Sequence, residues 1–189
     1  MTYLILGLVV FFAVHLVTML APQWREAKIA SMGENRWKGI YSVSSLVGLV
    51  LIIWGYSLAR PDAVELFTPP DWAPHLVMAL MAIALIMMMA GNLPAGRIKQ
   101  AVKHPFILAI KIWAFAHLLA NGDLASAILF GSFLVYAVWN RVNLKRRGAE
   151  DPIAVSSTSD VIAIISGLVI WAVILFWLHE WAIGVIPIA

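Results

Sequence analysis

The chain has 189 residues, 62% of them hydrophobic and 12% charged, with a formal net charge of +3, where a soluble domain averages about 45–50% apolar and about 25% charged. The excess comes in blocks of about twenty residues, the length of a membrane span, which leaves no room for a soluble domain beside them and makes the lipid bilayer the first partner. There is no cysteine, so disulfides, iron–sulfur clusters and thiolate catalysis are excluded, and the basic residues, in short segments between apolar blocks, report topology and not nucleic-acid binding.

The first block predicts a helix over Thr2–Leu20, ended by Pro22. No basic region precedes it and no small-x-small cleavage site follows, so it reads as a retained helix and not a signal peptide. A polar loop with Arg25, Lys28, Arg36 and Lys38 leads to a second span, Gly39–Ala59. Arg60-Pro61 opens a loop containing Pro69-Pro70, Asp71 and Trp72. The third span, Pro74–Gly91, is closed by Asn92 and Pro94 and followed by Arg97, Lys99 and Lys103. The fourth, Pro105–Ala120, begins with a proline suited to a first helical turn. In the Asn121-Gly122-Asp123 turn, Asn121 or Asp123 can cap the fifth span, Leu124–Trp139. A longer polar loop, Asn140–Ser159, carries Arg141, Lys145, Arg146 and Arg147 and precedes the sixth span, Asp160–Leu178.

The expected fold is therefore an all-α integral membrane protein, a six-transmembrane-helix bundle forming a single domain over residues 1–189. Eleven of the Lys and Arg residues fall in alternate loops and one, Arg60, on the other side, with Lys111 inside the fourth span. The positive-inside rule then puts both termini on the outer, periplasmic side. Packing is expected through small residues: Ser44 with Gly48, Gly131 with Ser132, and Ser166 with Gly167.

With cysteine absent, a metal or haem has to be held by histidine, methionine, tyrosine or carboxylate. Of five histidines, His75 and His179 sit at predicted interfaces, where a histidine costs little. His15 and His117 lie inside spans, where an ionisable side chain is costly and faces the interior with a partner. Thr18, three residues after His15, and Asn121, four after His117, are on the same helical faces and can orient the rings. His104 precedes Pro105 as a cap or cofactor contact, and Lys111 lies seven residues later on the same face, directed at protein, a headgroup or an acidic ligand. No phosphate loop, nucleophile elbow or HExxH motif is present. Two histidines on separate helices of an apolar bundle suit haem b.

The stretch His104-Pro105-Phe106 with Trp113-Ala114-Phe115-Ala116-His117-Leu118-Leu119-Ala120-Asn121-Gly122-Asp123-Leu124-Ala125-Ser126 resembles the NnrU family. So do His15, Tyr41-Ser42-Val43-Ser44-Ser45-Leu46-Val47-Gly48 and Gly55-Tyr56. The resemblance covers nearly the whole chain and implies a multi-pass protein of the bacterial inner membrane, linked by the family's name to nitrite and nitric oxide reduction in denitrification. The family is similar to plant 15-cis-zeta-carotene isomerases, which hold haem b by histidines. That likeness implies His15 and His117 as axial ligands; Asn121 would then stand behind His117, and His104 would be an alternative ligand or an anchor for a haem propionate, helped by Lys111 or Arg97. It also implies either a redox or isomerase-like activity, with membrane redox or nitrogen-oxide reductase partners, or a non-enzymatic accessory role without cofactor. Counting along the helices puts His15 about 7.5 Å and His117 about 18 Å from the same membrane face, so a shared iron needs tilt to close about 10 Å.

Overall fold

A computed structural model describes residues 1–148, 153 and 156–187. Among these residues the structure is helical, with no strand and one isolated bridge between Glu65 and Asp123. In chain order the helices are α1 (Thr2–Leu20), α2 (Pro22–Met32), α3 (Glu34–Ala59), α4 (Ala73–Asn92), α5 (Arg97–Val102), α6 (Pro105–Ala120), α7 (Leu124–Arg146) and α8 (Ser157–Val173). A π-helical turn, Ile174–Leu178, continues α8 into α9 (His179–Ile183).

Among the described residues five helices are long and apolar enough to cross a membrane: α1, α3, α4, α7 and the continuous run Ser157–Ile183. The apolar helix α6 has 16 residues, about 24 Å at 1.5 Å per residue against a hydrocarbon core of about 30 Å. The first polar segment is not a loop. Pro22 opens a largely polar helix, α2, which stops at Gly33, whose φ of 85° suits glycine alone. Within and beside it Lys28 lies 5.7 Å over the Trp24 ring, and Trp24 meets Trp37 edge-on at 5.9 Å. The second span starts five residues earlier than expected, at Glu34, and the fifth runs on to Arg146. The centre of the expected Asn140–Ser159 loop lies outside the described residues.

The chain divides into two compact units. In the first, residues 1–65 and 123–129, α1 packs along α3. Their backbones approach so closely that a Cβ on Gly48 would sit 2.7 Å from the Phe11 nitrogen, and one on Gly55 would collide with the Leu4 nitrogen. This is the small-residue packing by which helices associate in lipid, where no hydrophobic driving force operates between them. In the second unit, residues 66–122 and 130–189, α4 packs on α6 and α8. A Cβ on Gly167 would lie 2.7 Å from the Ile86 Cα, whereas one on Gly131 would meet nothing. Of the expected small-residue contacts, those of Gly48 and Gly167 form and that of Gly131 does not.

Polar side chains close the helix ends of the second unit. The Lys99 ammonium donates to the Gly91 and Leu93 carbonyls at 3.0 Å each, at the C-terminal end of α4. The Asp160 carboxylate, from the first turn of α8, accepts the Arg97 and Ile98 amides of α5 at 2.8 and 3.1 Å. Each satisfies backbone groups that a helix terminus leaves without an intrahelical partner.

Candidate functional site

His15 lies on the α1 stripe that runs through Leu4, Leu8 and Phe11, the face turned to α3. Its Nδ1 is 2.7 Å from the Phe11 carbonyl oxygen. A carbonyl only accepts, so Nδ1 carries the proton and Nε2 is the lone-pair nitrogen. The Phe11 ring stacks on the imidazole at 4.0 Å and 20°, and Tyr41 of α3 approaches it at 5.2 Å. The atom that holds Nδ1 is thus a main-chain carbonyl one turn earlier in the helix.

His117 repeats the arrangement in the second unit. Its Nδ1 donates to the Trp113 carbonyl at 2.9 Å. The Phe130 ring of α7 stacks on it at 4.6 Å and 29°, and Trp113 packs edge-on against Phe130 and Phe133. Asn121 meets His117 at the backbone and not at Nδ1: its Nδ2 donates to the His117 carbonyl at 2.8 Å, closing the end of α6. Asn121 therefore holds the helix turn that carries the ring.

The other expected site residues are more dispersed. His104 is the residue before α6, and its carbonyl accepts the Leu108 amide at 3.1 Å. Lys111 is half-buried on α6, about 120° around the helix from His117, with Arg141 of α7 as its electrostatic neighbour. His179 follows the π-helical turn, holds its Nδ1 on the Val185 carbonyl at 2.8 Å, and is close enough to His117 to act on it electrostatically. Its distance from His117 along the chain conceals this.

The turn after α6 is polar and closely fitted. In the second unit the Gly122 carbonyl accepts the Leu66 and Phe67 amides at 2.7 and 3.2 Å, and a Cβ on Gly122 would collide with the Phe67 carbonyl. In the first unit Asp123 caps α7: its carboxylate accepts the Ser126 amide at 2.8 Å and the Ser126 hydroxyl at 2.6 Å. The Ser126 proton is thereby committed, so the Tyr56 hydroxyl, 2.8 Å away, donates to Ser126 Oγ. Ser126 is fully buried. Tyr56 and the Asp123–Ser126 stretch, far apart in sequence, meet at this one cap.

The sequence model of the NnrU protein family matches residues 3–187. The chain belongs to the NnrU family. Neither a curated protein nor a solved structure matches it. The match takes in every residue described above, from the His15 turn to the His179 turn. Among the described residues no group of three or more histidine, cysteine, aspartate or glutamate side chains gathers to hold a metal ion. What this NnrU chain offers a metal is single imidazoles, each with a defined tautomer, and that donor chemistry fits axial ligation of haem iron.

Proposed function

We propose that this NnrU-family protein is a multi-pass bacterial inner-membrane protein that binds haem b, with His15 and His117 as axial ligands and a redox or isomerase-like role linked to nitrite and nitric oxide metabolism. Six spans, both termini on the periplasmic side and a single domain over residues 1–189 complete the reading. The eleven-to-one division of Lys and Arg supports that topology, and a bilayer thins or flanking residues snorkel to accommodate a helix as short as α6.

The observation that carries the proposal is the twin design of the two histidines. Each gives Nδ1–H to the carbonyl four residues earlier and stacks on a phenylalanine, so in each ring Nε2 is the nitrogen that carries the lone pair. A hydrogen bond on the far nitrogen fixes the tautomer and raises the basicity of the ligating one. Bound haem would supply an iron centre able to gain and lose one electron. The chain's own part is to hold the imidazoles, to keep water away with Phe11, Trp113 and Phe130, and, through Asn121, to hold the α6 turn that carries His117. The test is the absorption spectrum of the full chain purified in mild detergent from haem-supplied cells. A Soret band that shifts on reduction is expected; its absence overturns the proposal and leaves the accessory role.

A further inference from the structure

Helix α2 is a polar helix fastened between two apolar ones. Ala21 alone separates it from the end of α1, and Gly33 alone from the start of α3. The α1–α3 seam fixes its level. Leu4 meets Gly55, Gly7 meets Ile52 and Phe11 meets Gly48, so each residue forward along α1 is matched by one backward along α3. The same count sets Leu20 beside Gly39. Residues 34–38 of α3 therefore project past the end of α1, by about 7.5 Å at 1.5 Å per residue. Helix α2 lies at that level, where Trp24 meets Trp37 at 5.9 Å. With α1 and α3 crossing the bilayer, this is the headgroup region.

An isolated helix of 11 residues is marginal in water, and α2 buries none of its residues. Pro22, Arg25, Ile29 and Met32 are half-buried and form the side turned to the protein. Trp24, 50% exposed, and Lys28 stand one turn apart on another edge, with the ammonium 5.7 Å over the ring. Ser31 lies within about 60° of both, while Glu26 and Ala30 lie about 120–160° from either. Among the described residues the Lys28 ammonium has no ion pair, whereas Lys38 is matched by Glu34 at 2.8 Å. One edge of α2 thus carries an exposed indole and an unneutralised cation, and the opposite edge carries a carboxylate. Indoles favour the membrane interface, and a cation at the surface is drawn to anionic headgroups that repel a carboxylate.

We propose that α2 lies in the membrane surface with its Trp24–Lys28 edge against anionic phospholipid headgroups, the ammonium on phosphate and Glu26 turned to water. A helix of this kind is held by its buried apolar side chains together with electrostatic attraction to the lipid. This placement needs α1 and α3 to span the bilayer, as in the proposed topology, and is independent of haem.

The chain has no cysteine, so a spin label on one introduced cysteine is unique. The test uses full chains carrying Ser31→Cys, Ala30→Cys or Val9→Cys, all at exposed positions, the last in the middle of α1. They are reconstituted in phosphatidylcholine vesicles with and without phosphatidylglycerol. Electron paramagnetic resonance then reads the access of oxygen and of a water-soluble nickel chelate to each label. The Ser31 label should be shielded from the chelate and the Ala30 label open to it. Phosphatidylglycerol should increase the shielding at Ser31. Adding Lys28→Gln should abolish that dependence, while adding Lys28→Arg or Lys38→Gln should keep it. A Ser31 label as open as that at Ala30, with Val9 shielded, overturns the surface helix and leaves the spans standing. A Val9 label open to the chelate overturns the spans and the placement of α2 with them. Equal shielding at Ser31 with and without phosphatidylglycerol overturns the anionic headgroup contact. So does an effect of Lys38→Gln as complete as that of Lys28→Gln, in favour of diffuse charge.

Discussion

His15 and His117 are held by the same backbone device in different surroundings. The His15 turn lies on a seam where α1 and α3 touch main chain to main chain at Gly48 and Gly55, with the Tyr41 ring beside the imidazole. The His117 turn lies among rings, Trp113, Phe130 and Phe133, and ends in the Asn121 cap. A glycine seam has no slack: any added carbon moves a helix. A ring cluster has some, because aromatic pairs keep much of their attraction over a range of angles and distances. Damage to the first setting should therefore be abrupt and damage to the second graded.

The largest effect is expected from Gly48→Val. Its methyls enter the Phe11 backbone, and overpacking of this kind costs roughly 3 kcal/mol or more. Size-exclusion chromatography in mild detergent should show loss of the monodisperse peak; a well-behaved protein with wild-type melting would break the seam account.

Ser126→Ala should come next. It removes the hydroxyl that accepts from the half-buried Tyr56 and one of the two bonds to the Asp123 cap, for about 2 kcal/mol. The double variant with Tyr56→Phe should lose less than the sum of the two single losses, since the two hydroxyls share one hydrogen bond. Additive losses in thermal melts would show that the two groups do not work through each other.

Phe130→Leu keeps apolar volume but removes the stack on His117, for about 1 kcal/mol. A small fall in melting temperature is expected, with a shift in any haem band. A collapse as complete as that of Gly48→Val would erase the contrast between the two settings. The smallest effect belongs to Lys38→Gln. The Lys38–Glu34 pair is 2.8 Å long but 68% and 66% exposed, and exposed pairs contribute little; no change in melting is expected at physiological salt.

The positions of the apolar helices were legible because hydropathy and proline are local signals. Pro105 opens α6 and Asp123 caps α7 where residue type alone suggests it. Helix α2 was not legible, since Pro22–Met32 carries too little apolar character to stand out beside the spans around it. The histidines could be singled out as intramembrane, but the groups that orient them could not. Both rings use a main-chain carbonyl, which every residue owns and no sequence pattern marks. Thr18 and Asn121 drew attention because their side chains are polar, yet Asn121 serves the helix end. The nearness of His179 to His117 and the burial of Ser126 arise from packing between segments distant in the chain, which a helix-by-helix reading does not reach.

The central claim is that the two backbone-tethered histidines hold one haem. It is tested most directly by haem content per chain, measured for wild type, His15→Ala, His117→Ala and the control His75→Ala, purified identically. Stoichiometric haem in wild type and His75→Ala, with loss or a displaced Soret band in each of the other two, is the predicted result. Haem content and spectra unchanged by both His15→Ala and His117→Ala would contradict it.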